Sequence, residues 1–256
     1  MEQAPAGLPR HLDPATRAGQ RCPSSRRLGA QAATRDHGHS GAGSHCAGAE
    51  HAVRSKPVRA GVEAKRQTQA STEVRIIGGL WKRTRLSVAK LPGLRPTPDR
   101  VRETLFNWLG QDLSGWRCMD AFAGTGALGL EAASRGASQV LLVEQDAGLV
   151  AQLQQIQARL QASALRIERG CGVAALKRSA PASLDLLLLD PPFESSLIEQ
   201  ALPAVLAALA PQGFVYLEAP RRWPDEQLAD AGLKLHRYLR AGAVHAHLLQ
   251  PAQVLA

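Results

Sequence analysis

A short run in the second half of the chain, Asp190-Pro191-Pro192-Phe193, combines groups that can act on an amine. It directly follows Leu186–Leu189, an apolar run that predicts a buried strand. Ligands of open α/β sheets bind beyond the carboxyl ends of the strands, so the tetrapeptide is expected to line a crevice. There Asp190 and the Pro191 carbonyl can accept hydrogens, and Phe193 can stack on a planar ring. Alternatively, the two prolines only end the strand, and Asp190 caps a turn.

The chemistry that suits this tetrapeptide is methyl transfer to the exocyclic amine of a nucleic-acid base. The lone pair of such an amine is delocalised into the ring, so the nitrogen must move toward tetrahedral geometry as it attacks a methyl sulfonium. Acceptors that hold the amine hydrogens assist this change. Direct transfer needs no covalent enzyme intermediate, so we expect neither Cys118 nor Cys171 to act as a nucleophile.

A second motif, Asp120 to Gly129, is rich in glycine and lies between a predicted strand and a predicted helix. Its glycines let the backbone approach a ligand closely and open the helix N-terminus toward it. Glu144, at the end of the next predicted strand, can bind the hydroxyls of a ribose. Both NAD and S-adenosylmethionine satisfy this pattern, so the motif alone leaves a nicotinamide-dependent oxidoreductase open. Asp120 either orients the loop or binds the charged amino-acid end of the cofactor, and we favour the second role.

The elements that must position these motifs alternate along the chain, which predicts a parallel sheet with helices on both faces. The predicted strands are Cys118–Phe122, Val140–Glu144, Leu165–Glu168, Leu184–Asp190 and Phe214–Glu218, and the predicted helices are Leu128–Ser134, Leu149–Leu160 and Leu197–Leu209. Two further runs, Lys234–Leu239 and Val244–Leu249, predict an antiparallel C-terminal hairpin at one edge of the sheet.

The residues before this sheet predict a smaller basic unit. Residues 74–88, called the arm below, read as two short strands around a glycine-containing turn. Thr97 is the expected N-cap of a following helix, and Pro98 its first residue. This divides the chain into an extension (residues 1–72), the arm with its linking helix (73–110) and the main domain (111–256).

Charge and composition bound the class of protein. The chain carries a formal charge of +9, but residues 103–256 hold 12 basic and 15 acidic residues, so the excess lies before them. A basic end suggests a polyanionic partner. Residues 1–72 lack aromatic residues and sustained periodicity, which predicts disorder, a transit peptide, or a start codon placed too far upstream. The scattered cysteines and short apolar runs indicate a cytoplasmic protein with reduced thiols, no metal site and no membrane span.

Taken together, the motifs resemble the bacterial 16S ribosomal RNA guanine-N2 methyltransferases, a family within the class I S-adenosylmethionine-dependent methyltransferases. The match runs from about Arg75 to about Leu249. It is carried by Arg75-Ile76-Ile77-Gly78-Gly79, Arg95-Pro96-Thr97, Asp99-Arg100-Val101-Arg102-Glu103-Thr104-Leu105-Phe106-Asn107-Trp108-Leu109, Phe122-Ala123-Gly124-Thr125-Gly126-Ala127-Leu128-Gly129-Leu130-Glu131-Ala132 and Asp190-Pro191-Pro192-Phe193.

The resemblance implies a Rossmann-like fold with a seven-stranded, mostly parallel sheet. It also implies the residues of each site. S-adenosylmethionine is expected at Asp120, Phe122, Ala123, Gly124, Thr125, Gly126, Glu144 and Cys171, and the target guanine at Asp190, Pro191, Pro192 and Phe193. Ribosomal RNA is expected at Arg75, Trp81, Lys82, Arg83, Arg85, Arg95, Arg100 and Arg102.

Two positions depart from the family pattern. Cys171 stands where relatives often have Asn or Asp near the cofactor adenine, so backbone amides of residues 170–172 are the alternative contact. Glu194 follows the tetrapeptide where a basic residue is common, which would weaken a phosphate contact. We expect a monomer acting on 16S ribosomal RNA, probably the RNA of a small-subunit particle. The alternatives are an adenine or glutamine methyltransferase and an inactive RNA-binding assembly module.

Overall fold

The computed structural model describes residues 72–88 and 97–252. Nearly all of the predicted extension, residues 1–71, lies outside these ranges, and so does Arg95. The first element described is the predicted hairpin, in which β1 (Thr72–Arg75) pairs antiparallel with β2 (Arg85–Val88). The linking helix α1 (Asp99–Leu109) follows.

The main domain is one seven-stranded sheet with helices between its strands. Its strands are β3 (Arg117–Asp120), β4 (Gln139–Glu144), β5 (Leu165–Arg169), β6 (Leu184–Leu189), β7 (Leu209–Ala219), β8 (Leu233–Ala241) and β9 (Val244–Pro251). Its helices are α2 (Ala127–Ser134), α3 (Ala147–Leu160), α4 (Gly172–Lys177), α5 (Leu197–Ala208) and α6 (Asp225–Asp230). The sheet order is β5-β4-β3-β6-β7-β9-β8.

The pairing directions match the predicted architecture. Strands β3 to β7 are parallel, whereas β9 runs antiparallel to β7 and to β8. The mostly parallel sheet and its antiparallel C-terminal hairpin are therefore confirmed. The central strand β6 consists almost entirely of leucine because helices cover both of its faces. Side chains of β6 alternate between the two hydrophobic clusters, with Leu186 and Leu188 in one and Leu187 and Leu189 in the other.

The structure corrects the predicted start of α1. Its N-cap is Pro98, which makes no side-chain hydrogen bond to the helix, so the prediction of Thr97 as the cap is wrong. The Thr97 hydroxyl instead donates to Oδ2 of Asp190 at 3.1 Å. Two short helices, α4 and α6, were not predicted, because six residues are too few to show helical periodicity.

A buried carboxylate attaches the arm to the main domain. Glu131 of α2 is 0% exposed and accepts hydrogen bonds from the backbone amides of Ile77 (2.8 Å) and Gly78 (2.7 Å). It also pairs with the guanidinium groups of Arg102 (3.4 Å) and Arg135 (2.8 Å), which are 1% and 3% exposed. The turn of the arm is thus held against α2, and α1 is held with it.

Glycine is required where the turn of the arm meets α2. Gly79 has a φ of 73°, and a Cβ atom there would lie 1.8 Å from the carbonyl oxygen of Ser134. The same serine donates from its hydroxyl to the Gly78 carbonyl at 2.6 Å and accepts from the Trp81 amide at 2.9 Å. The two glycines of the Arg75 to Gly79 motif therefore serve close packing.

In the ranges that the structure describes, no helix is both long enough and apolar enough to span a bilayer.

Replacing Glu131 with Ala is expected to destabilise the protein by about 3–5 kcal/mol, because it leaves two buried guanidinium groups without their shared carboxylate. The control is Asp225→Ala, which removes an exposed pair with Arg222 and is expected to cost about 1 kcal/mol or less. Denaturant unfolding of both variants measures the difference. Equal stabilities for the two variants would contradict the structural role assigned to Glu131.

Candidate active site

The glycine-rich loop between β3 and α2 lies at the carboxyl edge of the sheet. The Ala123 amide donates to the Val143 carbonyl at 2.9 Å, and the Gly124 amide donates to Oε2 of Glu144 at 2.8 Å. Gly126 has a φ of 77°, and a Cβ atom there would lie 2.5 Å from Cδ2 of Leu153. The loop is therefore folded tightly against β4 and α3, and it leads directly into the N-terminus of α2.

Glu144 organises the turn that follows β4. Besides the bond from Gly124, its Oε1 accepts from the amides of Gln145 (2.7 Å) and Asp146 (2.8 Å). An ionised carboxylate has about four acceptor positions, so these three bonds leave capacity for a ribose hydroxyl. The structure thus brings Glu144 and the glycine loop together, as the motif spacing predicted.

Asp120 is buried at the end of β3, with 1% of its surface exposed. Its Oδ2 accepts from the Gly129 amide at 3.0 Å, so this carboxyl orients the loop and the helix after it. Its Oδ1 is buried and has no hydrogen-bond partner within the described residues. Burial raises the pKa of the Asp120 carboxyl to about 7, against the opposing effect of the hydrogen bond from Gly129. A buried oxygen without a partner fits a cationic or hydrogen-bonding group of a ligand in the crevice.

The loop between β5 and α4 closes the same side of the crevice. The Gly170 amide donates to the backbone carbonyl of Glu144 at 2.9 Å. At Gly172 a Cβ atom would lie 1.8 Å from the carbonyl oxygen of Ala121, so the two loops touch through their backbones. Cys171 lies between these contacts and, like Phe122, is partly buried beside the second hydrophobic cluster. Each predicted cofactor residue therefore lies in one of these adjoining segments.

The Asp190 to Phe193 tetrapeptide follows β6 at the same edge. The Pro192 carbonyl accepts from both the amide (3.1 Å) and the hydroxyl (2.6 Å) of Ser195, so it is not available to a substrate. Phe193 is 38% exposed, an uncommon state for a large apolar ring, and it is therefore accessible for stacking. The structure thus places a carboxyl group and an exposed aromatic ring side by side.

Sequence reasoning missed three residues that surround Asp190. Thr97 donates to its carboxylate, and Glu218 at the end of β7 raises its pKa. The third, Tyr216, donates to Oε1 of Glu218 at 2.7 Å. A signal for Glu218 was present in the sequence, because a carboxylate at the end of an apolar strand is the same feature that identified Glu144.

The predicted RNA-binding residues of the arm lie mostly on the surface. Arg75, Lys82, Arg83, Arg85 and Arg100 are exposed, whereas Trp81 is partly buried and packs against the first hydrophobic cluster. The turn of the arm contacts the C-terminal end of α2, and an eight-residue helix places that end about 12 Å from the glycine loop. The arm is thus joined to the candidate site through α2.

The structure does not support an RNA contact for Arg102. Its side chain is 1% exposed, and its guanidinium donates to the Arg75 carbonyl (2.9 Å) and pairs with Asp99 (2.6 Å) as well as with Glu131. A buried guanidinium with these partners is not available to a phosphate group. We therefore reassign Arg102 to the attachment of the arm.

Comparison with known proteins was made against families, curated relatives and solved structures. A family model described as "Conserved hypothetical protein 95" matches residues 74–250. Ribosomal RNA small subunit methyltransferase D of Escherichia coli (strain K12) is 38% identical over 182 residues, which are 70% of this chain and 91% of that protein. The protein of the same name from Haemophilus influenzae is 40% identical over 160 residues, 60% of this chain and 83% of the relative.

A solved structure, "Putative methyltransferase yhhF from Escherichia coli", is similar with a TM-score of 0.61 and 36% sequence identity. The similarity covers 71% of this chain and 99% of that one. Since the family model spans more than half of the chain, and the relatives align over most of their own length, the chain belongs to the conserved hypothetical protein 95 family, which includes the ribosomal RNA small subunit methyltransferases D.

Proposed function

We propose that the chain transfers a methyl group from S-adenosylmethionine to the exocyclic N2 amine of a guanine in 16S ribosomal RNA. The observation that carries the proposal is the position of Asp190 and the exposed Phe193 at the same sheet edge as the glycine loop. Methylation of small-subunit ribosomal RNA agrees with the names of the relatives. The guanine N2 target is the finer part of the proposal and rests on the resemblance of the motifs.

The residues of the first loop are proposed to hold the cofactor. Glu144 accepts hydrogen bonds from the ribose hydroxyls, and Oδ1 of Asp120 faces the charged amino-acid end. The amides of residues 170–172 and the Cys171 side chain border the adenine. When bound, S-adenosylmethionine supplies an electrophilic methyl group on a positively charged sulfur.

The tetrapeptide is proposed to hold the target base. Phe193 stacks on the guanine ring after the base has left its neighbours in the RNA. Asp190 and the Pro191 carbonyl accept the two hydrogens of the N2 amine, because the Pro192 carbonyl is already bonded to Ser195. Holding both hydrogens directs the nitrogen lone pair out of the ring plane, and the amine proton leaves toward the Asp190 carboxylate.

The exposed basic residues of the arm are proposed to bind RNA phosphates, with the protein acting as a monomer in the cytoplasm and a small-subunit particle as the substrate. Arg75 and Arg85 are paired with Asp99 and Glu73 on the surface, and such exposed pairs are weak enough to exchange for phosphate. Trp81 is proposed to stack on a base with its exposed part.

The experiment that tests the function is transfer of labelled methyl groups to small-subunit particles from cells that lack their own enzyme, followed by nucleoside analysis. Label in N2-methylguanosine supports the proposal. Label in an adenine nucleoside would keep the chemistry and overturn the target. Tight binding of the cofactor without any label would favour the inactive binding module.

Replacing Asp190 with Ala is expected to reduce turnover by at least about 100-fold, because the amine loses its charged acceptor. Affinity for S-adenosylmethionine should change by less than about threefold, since Asp190 belongs to the base-binding segment. Steady-state kinetics and calorimetric titration measure the two effects. Glu194→Ala, which removes an exposed carboxylate four positions further along, is the control and should retain activity. Retained turnover in Asp190→Ala would exclude the role given to this residue.

The affinity for S-adenosylmethionine is expected to rise with pH up to about 7 and to level off above it, because the pKa of Asp120 lies at about 7. Below that pH the carboxyl is protonated, and binding of a positively charged group must first release the proton. The limiting change is about tenfold per pH unit. Calorimetric titrations below and above neutrality measure it. In Asp120→Asn the affinity should be lower and independent of pH in this range, and an unchanged pH dependence would assign it to another group.

A further inference from the structure

Three carboxyl groups lie at the ends of three neighbouring strands, and one of them has no role in the mechanism given above. Asp120 ends β3, Asp190 follows β6, and Glu218 is the penultimate residue of β7. The pairing of Leu189 with Leu217 places Asp190 directly beside Glu218. Glu218 is 2% exposed, and burying a carboxyl group costs free energy unless partners satisfy it.

The partners of Glu218 are hydroxyl groups. Within residues 72–88 and 97–252, no Lys, Arg or His side chain forms an ion pair with it. Tyr216, which is 0% exposed, donates to its Oε1 at 2.7 Å. The Thr97 hydroxyl, which donates to Oδ2 of Asp190 at 3.1 Å, is also hydrogen-bonded to the Glu218 carboxyl. Thr97 therefore bridges the two acids.

Counting hydrogens fixes the direction of this bridge. A threonine hydroxyl has one hydrogen, and the structure gives that hydrogen to Asp190. The contact between Thr97 and Glu218 is then a hydrogen bond only if Glu218 is protonated and donates to Oγ1 of Thr97. Burial raises the pKa of Glu218, and burial followed by the charge of Glu218 raises the pKa of Asp190, so one proton is readily retained by this pair.

We propose that Glu218 is a positioning residue that holds a proton, donates it to Thr97, and through Thr97 fixes the Asp190 carboxylate as an ionised acceptor for the target amine. The chain of bonds runs from Tyr216 to Glu218, then to Thr97 and to Asp190. Asp190 keeps its second oxygen, Oδ1, for the substrate. This inference rests on the proposed function, because it assumes that Asp190 accepts a hydrogen of the substrate.

Kinetics of two Thr97 variants test the bridge. Thr97→Val has nearly the same shape but no hydroxyl, and it is expected to lower kcat by about 10- to 100-fold, because the buried acceptors lose their donor. Thr97→Ser keeps the hydroxyl and should remain within about threefold of the unmodified protein. Affinity for S-adenosylmethionine should be unchanged in both. Full activity in Thr97→Val, or an equal loss in Thr97→Ser, would overturn the proposal.

Two variants of Glu218 test the proton. Glu218→Gln keeps a donor for Thr97 and an acceptor for Tyr216, as protonated Glu218 does, so kcat should stay within about threefold at neutral pH. Glu218→Met has a similar length and no donor, and it should lose about as much as Thr97→Val. A Gln variant as inactive as the Met variant would mean that the charge of Glu218 is needed, and this would overturn the protonated bridge. Thermal unfolding of all four variants separates these effects from loss of the fold.

A titration that needs no turnover separates failure of this inference from failure of the proposed function. Carbon-13 spectra of protein labelled at the aspartate carboxyl carbons report the pKa of Asp190, whose signal is assigned as the one absent from Asp190→Asn. The hydrogen bond from Thr97 lowers the pKa of Asp190, so Thr97→Val should raise it and Thr97→Ser should not. An unchanged pKa in Thr97→Val overturns the bridge. Intact titration shifts in a protein that labels no RNA would instead overturn the proposed function.

Discussion

The buried carboxylate of Glu131 is the interaction on which the arrangement of this molecule depends. It joins two backbone amides of the arm, Arg102 of α1 and Arg135 of its own helix. Because α2 begins at the cofactor loop and α1 begins just after Thr97, the same cluster positions both halves of the candidate site. A buried ion cluster adds little net stability compared with apolar packing, but it tolerates only one geometry. The cluster therefore specifies where the arm and α1 are attached.

The candidate site imposes the opposite constraint, because it gathers negative charge where the sheet is most buried. Asp120, Asp190 and Glu218 raise one another's proton affinity, and no arginine lies among their described partners. Amide and hydroxyl donors satisfy them in part, and Oδ1 of Asp120 remains without a partner. A cationic cofactor would relieve this electrostatic cost on binding. The same acidity that disfavours the fold thus favours the ligand that the fold is proposed to bind.

Most of the fold and the position of the site could be predicted from the sequence, since both depend on local patterns. Strand and helix periodicity gave the sheet, and the motifs at strand ends gave its active edge. Contacts between distant segments could not be predicted. Thr97 looks like a helix cap and Arg102 like a residue on a solvated helix face, yet their partners, Asp190 and Glu131, lie 93 and 29 residues away. Polar residues with a plausible local role are the ones that local patterns misassign.

The family departure at Cys171 is explained by how its loop is positioned. The loop is held by backbone contacts on both sides, from the Gly170 amide to the Glu144 carbonyl and through the close approach of Gly172 to Ala121. Neither contact uses the side chain at 171, so the loop can keep its position whether that residue is Asn, Asp or Cys. What the substitution removes is a strong acceptor or donor at the adenine edge. The rigid amides beside it then become the groups that can recognise adenine, and the substitution affects cofactor affinity without displacing the site.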